Sequence, residues 1–260
     1  FSDGTKEMGD VVILATGGLS YASTGSTGDG YRLARQAGHT VVPTQPSLCP
    51  VITEETWVAD LAGLSLKNVG LKAEVNGKKV FYDQGEMLFT HFGISGPLVL
   101  SASAHLSDYT FVDTKVCIDL KPALDEAKLE ARILRDFAEA PNQQLRSTLP
   151  RLLPKALSEE ILEIAGINGK KTVNFVTKEE RKELISLIKN FCIPILGTRS
   201  LDEAIVTRGG ITLREINASK MQSKQLPGLY FAGEVLDLDA VTGGFNLQIA
   251  WSTGYLAGMN

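Results

Sequence analysis

The residues best placed to do chemistry lie near the C-terminus. Gly228-Leu229-Tyr230-Phe231-Ala232 is an apolar run that ends in Gly233-Glu234, and a short loop later Thr242-Gly243-Gly244 opens an apolar segment at Phe245-Asn246-Leu247. An apolar strand closing on a glycine and an acid can bring a carboxylate up to sugar or ribitol hydroxyls, because the glycine lets a ligand approach the backbone closely. A double glycine before a helix admits a flat ring against the main chain. The amides of Phe245, Asn246 and Leu247 then aim a helix N-terminus at it, where negative charge is stabilised. A reduced flavin carries such charge near its N1 and C2 carbonyl. Taken alone, Gly-Gly before a helix reads more readily as a tight turn ahead of a buried core helix. The strand in front of it favours a cofactor site.

A second element of the same kind stands at the other end of the chain. Val11-Val12-Ile13-Leu14 is an apolar strand, expected to be buried on both faces, and it ends in Ala15-Thr16-Gly17-Gly18. Gly25-Ser26-Thr27-Gly28-Asp29-Gly30 follows, then a helix on Tyr31, Leu33, Ala34 and Ala37, with Gly38 as its stop and Thr27 or Asp29 as its cap. Two such elements, one at each end, suggest a cofactor domain split by a large insertion, with Ala15, Thr16, Gly17, Gly18 and Asp29 lining the cleft.

Other candidates carry two readings each. His91, at a strand end, can orient a substrate or relay a proton near neutral pH; equally, it can be a buried histidine satisfying backbone groups. Arg199 and Arg208 can bind an anionic substrate group or the cofactor, or form salt bridges. His39 and His105 read as structural or exposed. Cys49, Cys117 and Cys192 show no CxxC or metal-ligand spacing, so three reduced thiols and no metal site are expected.

The elements that must position these groups fall into three runs. Residues 1–45 and 217–260 make a partial cofactor domain. Residues 46–121 and 192–216 are β-rich, with strands at Leu64–Leu66, Val69–Val75, Lys79–Tyr82, Glu86–Thr90 and Lys115–Leu120, an Asn76-Gly77 hairpin turn, a helix capped by Ser95 before Pro97, and a turn at Gly209-Gly210. Residues 122–191 are helical. Leu124, Ala127, Ala131, Leu134 and Phe137 form a stripe, Ser158 caps a short helix with Leu157 and Leu162 as a staple, and Thr177 with Glu180 makes a capping box. The C-terminal helix carries Leu247, Ile249, Ala250, Trp251, Tyr255 and Leu256 on more than one face, which predicts burial.

Composition narrows the partners. At 260 residues with 43% hydrophobic and 22% charged residues, the chain has an ordinary globular balance, and its net charge of −4 argues against a general polyanion binder. No apolar run approaches the roughly 20 residues that span a bilayer. In the helical segment Lys170, Lys171, Lys178, Arg181 and Lys182 are interleaved with Glu159, Glu160, Glu163, Glu179, Glu180 and Glu183, which suits a solvated surface better than a DNA-binding one. A cytoplasmic protein with a small-molecule substrate and no nucleic-acid or membrane partner is expected. The chain opens at Phe1 in a polar loop, so its natural start is expected upstream.

Together, Ala15–Gly18, the Thr27-Gly28-Asp29-Gly30 segment, Thr90–Pro97, Gly197-Thr198-Arg199, Glu203–Gly210 and the run from Gly228 to Gly254 resemble the three-domain bacterial flavoproteins of the aminoacetone-oxidase-like or BaiN-like NAD(P)/FAD-dependent oxidoreductase family. The resemblance covers essentially the whole chain. It implies an α/β plus α+β architecture: an incomplete Rossmann-like FAD domain split by a β-rich, barrel-like domain that carries a small helical subdomain. It also implies FAD as cofactor, NAD(P)H as a candidate reductant, and hydride transfer between flavin and a small organic substrate. The family's Gly-x-Gly-x-x-Gly phosphate loop should lie upstream of Phe1, so an N-terminal FAD-binding segment of the same protein is an expected partner. Without it, a flavin-free, catalytically silent fragment is the alternative.

Overall fold

The computed structural model describes residues 4–259. The first run of the chain holds β1 (Val12–Leu14), α1 (Asp29–Gln36) and β2 (Val41–Ser47). The middle holds β3 (Val51–Thr53), β4 (Ser65–Val75), β5 (Lys78–Thr90), β6 (Gly93–Ser95), α2 (Pro97–Leu106), β7 (Thr114–Asp119), α3 (Glu126–Ala138), α4 (Leu145–Thr148), α5 (Lys155–Ile164), α6 (Lys178–Lys189) and β8 (Phe191–Thr198). The last run holds β9 (Val206–Ile211), β10 (Ile216–Asn217), β11 (Gln222–Ser223), β12 (Leu229–Phe231) and α7 (Phe245–Gly258). The chain divides into two compact units: Phe1–Pro50 with Thr198–Asn260, and Val51–Gly197.

In the Val51–Gly197 unit six strands close a barrel in the order β3-β6-β5-β4-β7-β8. The separate short strands expected from Leu64 to Thr90 are two long ones, β4 and β5, that absorb the irregular residues as bulges between Leu66 and Val69 and between Ala73 and Glu74. Asn76 (φ 49°) and Gly77 (φ 71°) make the turn between them, as the hairpin signal requires. Helix α2 begins at Pro97 after Gly96, not after a Ser95 cap, because Ser95 is spent in β6. A Cβ at Gly96 would stand 2.9 Å from the Met87 Cα, so only glycine passes there.

Helices α3 to α6 share one continuous core with the barrel, from Val51 and Phe89 to Leu157, Leu184 and Ile188. The buried face of α3 is Leu129, Ile133, Asp136 and Phe137; of the predicted stripe Phe137 is buried and Leu124 packs partly buried against the core, while Ala127, Ala131 and Leu134 are exposed because the larger Leu129 and Ile133 win the buried side. Ser158 is not a cap either. It lies inside α5 and its hydroxyl donates to the Pro154 carbonyl. The capping box of α6 is present, with the Glu180 amide donating to Thr177 and the Thr177 amide donating to the Glu180 carboxylate. Cys117 and Cys192 face each other across β7 and β8 and form a disulfide. The expected set of three reduced thiols is therefore wrong, because residues distant in sequence became ladder partners. Cys49 is outside any disulfide and buried, and its thiol donates to the Arg199 carbonyl.

In the other unit β1 and β12 pair in parallel, and β11 and β10 extend the sheet to the order β1-β12-β11-β10. β2 and β9 form an antiparallel pair. Gly209 and Gly210 are not a turn. They lie within β9, opposite a bulge, where a Cβ would meet the Pro43 and Val235 carbonyl oxygens at 2.3 and 2.6 Å. Helix α1 starts at the left-handed Gly28 without a side-chain cap; the Thr27 hydroxyl instead donates to Asp29. It stops at Gly38, where the Gly38 and His39 amides return to the Arg35 and Ala34 carbonyls.

Two burial expectations fail here. Val11, Val12 and Ile13 are exposed, and only Leu14 of β1 is buried. Helix α7 buries Thr253 and Ala257 while leaving Trp251 and Tyr255 66% and 67% exposed. A helix apolar all round satisfies only the face that meets a neighbour. Among the described residues no helix is long and apolar enough to cross a membrane.

Candidate functional site

Because β1 and β12 run parallel, their ends lie on the same side of the sheet, and the two glycine-rich segments that follow them meet there. A Cβ on Gly18 would stand 2.7 Å from Glu234 Oε1 and 2.4 Å from Thr207 Oγ1. Glu234 Oε1 accepts from the Thr207 amide at 2.7 Å and from the Ser20 hydroxyl at 2.9 Å. Thr207 Oγ1 in turn accepts from the amides of Leu19 and Ser20. Three segments far apart in sequence are thus tied to one carboxylate. Its second oxygen, Oε2, accepts from no partner among the described residues.

Thr207 and Ser20 were not singled out from sequence. Thr207 falls inside the Glu203–Gly210 run that carries the family resemblance and Ser20 lies two residues past Gly18, but a lone hydroxyl at either place points to no role by itself.

A cavity of about 490 Å³ opens beside Glu234, within the range of small-ligand sites. Its apolar wall includes Leu48, Ile205, Val206, Leu238 and Leu247, and Gly243 and Gly244 form its floor. Gly243 and Gly244 have φ of 114° and 86°, a conformation that L side chains rarely adopt. Gly244 caps α7 without any side chain, and the first intrahelical bond is Gln248 N to Gly244 O. The amides of Phe245, Asn246 and Leu247 precede that bond, so they are the donors a helix start offers. The Asn246 side chain is committed elsewhere: it donates to the Ala240 carbonyl and accepts from the Ala240 amide, clasping the loop ahead of the helix. The Gly233 amide donates to Thr253 Oγ1, which fixes α7 against the end of β12.

The structure gathers Gly18, Gly233, Glu234, Gly243, Gly244, Phe245, Asn246 and Leu247 around one sheet end. Ala15, Thr16 and Gly17 sit on the loop just past β1, and α1 lies close by: a Cβ at Gly30 would collide with Thr16 Oγ1 at 2.0 Å. Asp29 does not line the cavity. It is exposed, pairs with Arg32 at 3.0 Å, and is held below the usual carboxylate range by that arginine and by Thr27.

Arg199 bonds Glu203 through Nε at 2.8 Å. Arg208 lies near Asp237, whose carboxyl is pushed up by burial and by Asp239 and is opposed by Arg208. His91 belongs to the barrel unit, where it is exposed and stands edge-on to Phe92 at 4.9 Å, so the alternative of a buried histidine is excluded.

His39 forms a Ser-His-Glu chain, with Nδ1 3.0 Å from Glu215 and Nε2 2.8 Å from Ser223. Its side chain is fully buried, and Ser223 Oγ already accepts the amides of Gln225 and Leu226. That geometry locks a turn and leaves no room for a substrate.

Residues 45–206 match the family model described as HI0933-like protein barrel and H2TH domain. The chain belongs to this family. The closed six-stranded barrel with its helices agrees with that description. Among its relatives, the chain is 34% identical over 260 residues to a 3-dehydro-bile acid delta(4,6)-reductase of Clostridium scindens, covering 99% of this chain and 63% of that protein. It is 39% identical over 251 residues to a ribosomal RNA dihydrouridine synthase of Haemophilus influenzae, covering 96% of this chain and 59% of that protein. It is 35% identical over 247 residues to the Escherichia coli protein of the same name, covering 94% and 58%. The chain thus spans about three fifths of the length of these relatives.

Proposed function

We propose that this chain is part of an FAD-dependent reductase that saturates a carbon–carbon double bond conjugated to a carbonyl. The observation that carries the proposal is the cavity bounded by Glu234 and the uncapped Gly243-Gly244 start of α7. The names of the relatives support the reaction class: the two double bonds that Δ4,6 denotes, in line with a 3-keto group, and the C5=C6 bond of uracil are all conjugated to a carbonyl.

The residues present fit a flavin ring and its ribitol. Glu234 Oε2 is an acceptor for a hydroxyl, Gly243 and Gly244 leave the main chain open to a flat ring, and the amides of Phe245 to Leu247 favour negative charge on it. Leu48, Ile205, Val206 and Leu238 exclude water from that face. A flavin held by these residues would supply hydride chemistry toward the carbon β to the carbonyl, with solvent as the source of the α proton and NAD(P)H as the two-electron source we assign. In this reading the unit that contains β1 and β12 is the Rossmann-like FAD domain. His91, Arg199 and Arg208 are candidates for substrate contact, with a small unsaturated carbonyl compound or a uracil ring as substrate.

The phosphate half of the FAD site is assigned to further polypeptide. The exposed faces of β1 and α7, and an open apolar cavity of about 390 Å³ lined by Val12, Leu33, Ala34 and Pro227, are the surfaces on which it packs.

The test is a visible spectrum of the purified chain before and after incubation with FAD and desalting. Retained flavin bands that NADPH bleaches, and that an enone re-oxidises, support the proposal. A colourless chain that also stays colourless when longer polypeptide of the same protein is supplied overturns it.

A further inference from the structure

The net charge of the chain conceals a local asymmetry. Residues 140–158 contain Arg146, Arg151 and Lys155 and no acid; residues 164–178 contain Lys170, Lys171 and Lys178 and no acid. These two stretches are hydrogen-bonded to each other. The Leu145 and Arg146 amides donate to the Lys171 and Gly169 carbonyls at 2.9 Å, and the Val173 amide donates to the Gln143 carbonyl at 3.0 Å. The acids that interleave with bases in sequence sit instead on the bodies of α5 and α6.

Two of the six cations are partly neutralised, Arg151 by Glu139 and Lys171 by Glu180. Arg146, Lys155 and Lys170 are exposed and form no salt bridge with an acid among the described residues; Lys178 is exposed too and acts on its neighbour Glu179 without a salt bridge to it. Directly beside this ribbon stands Phe175, in a short 3-10 turn, with 70% of its surface open to solvent. A large aromatic held on a backbone-bonded turn among these cations gives most of its surface to solvent and not to the core. It is what a base stacks on while lysine and arginine take the neighbouring phosphates.

We infer that the connection between α5 and α6, with residues 141–147, is an RNA-binding face that stacks an unpaired base on Phe175 and holds phosphates with Arg146, Lys170 and Lys178. This rests on the reductase reading only for its purpose, since it makes the substrate ring part of an RNA loop; the binding itself needs no flavin. Two relatives named for ribosomal RNA agree with that choice.

The experiment is fluorescence anisotropy of the 260-residue chain with a labelled RNA stem-loop carrying an unpaired uridine-rich loop, repeated from 50 to 200 mM salt. Binding should weaken steeply with salt. The R146A/K170A double variant should lose at least ~10-fold in affinity and flatten the salt dependence by about one to two released counterions. F175A should lose about 5- to 100-fold on the stem-loop, the effect of one lost stack, and change little on a fully paired duplex. K78A/K79A, on the barrel hairpin, should bind as the parent does. Each variant should melt at the parental temperature, since the side chains replaced are exposed.

No binding at 50 mM salt overturns the inference, as does unchanged affinity in a folded R146A/K170A variant. Equal displacement of the RNA by poly-glutamate overturns the assignment to RNA. Flavin retention is measured separately, so failure of the RNA face and failure of the FAD site are distinguishable.

Discussion

Glu234 is held by two donors on one oxygen and open on the other, and this fixes what its replacement should do. Gln in its place keeps an acceptor for the Thr207 amide but loses the charge, and hydrogen bonds to charged groups are worth about 1.5–3 kcal/mol. E234Q should therefore retain FAD at least ~10-fold more weakly, measured by titration of flavin fluorescence, with little change in melting temperature. G18A should do more damage, because its methyl meets Thr207 and Glu234 together; it should lose both flavin retention and thermal stability. Glu215 offers a pH test. The Thr40 amide first, and His39 second, hold its carboxyl below the ordinary value. A depressed native pKa stabilises the fold above the unfolded value, near 4.3, and the contribution is lost as pH falls through the native value. The melting temperature of E215Q should therefore fall less than that of the parent on acidification below about pH 5. Cys49 should resist alkylation at neutral pH until the chain unfolds, because burial raises its thiol to about 11.

At the scale of elements, the capping box of α6 and the β7–β8 disulfide are the most direct levers. Thr177→Ala removes the acceptor for the Glu180 amide and should cost about 1 kcal/mol in denaturant unfolding. Reduction of Cys117–Cys192 opens a cross-link between residues 75 apart, worth about 4 kcal/mol on a loop-entropy account. It should show as a gain of two hydrogens by mass and a lower melting temperature. The elements that were legible had local causes: the Asn-Gly hairpin, the Thr177–Glu180 box and the Gly38 stop each satisfy their own backbone groups within a few residues. Where Ser95, Ser158 and Thr27 failed as caps, a neighbouring strand, helix interior or left-handed glycine had already taken the position, and a cap signal carries no information about that competition.

For the whole molecule, the division into two units sets an expectation for calorimetry. Two transitions should be seen. Reducing the disulfide should lower only the one belonging to Val51–Gly197, while FAD at about a hundredfold excess over its Kd should raise only the other, by a linkage of about 2.7 kcal/mol. A single transition shifted by both treatments would overturn this partition. The apolar surface of α7, with Trp251 and Tyr255 open, belongs to this scale too, since only the side that carries Thr253 and Ala257 is buried.

The sequence by itself marked the β-rich and helical runs and the glycine–acid and double-glycine signals. These follow from periodicity and from residues whose backbone freedom is scarce. Only the tertiary structure decided that β1 and β12 are parallel neighbours, which places Gly18 against Glu234. It also supplied Thr207 and Ser20 as the carboxylate's partners and brought two acid-free stretches into one basic ribbon. Pairing of distant segments depends on register and on competition for shared core space, and neither is encoded within any window of the chain short enough to read locally.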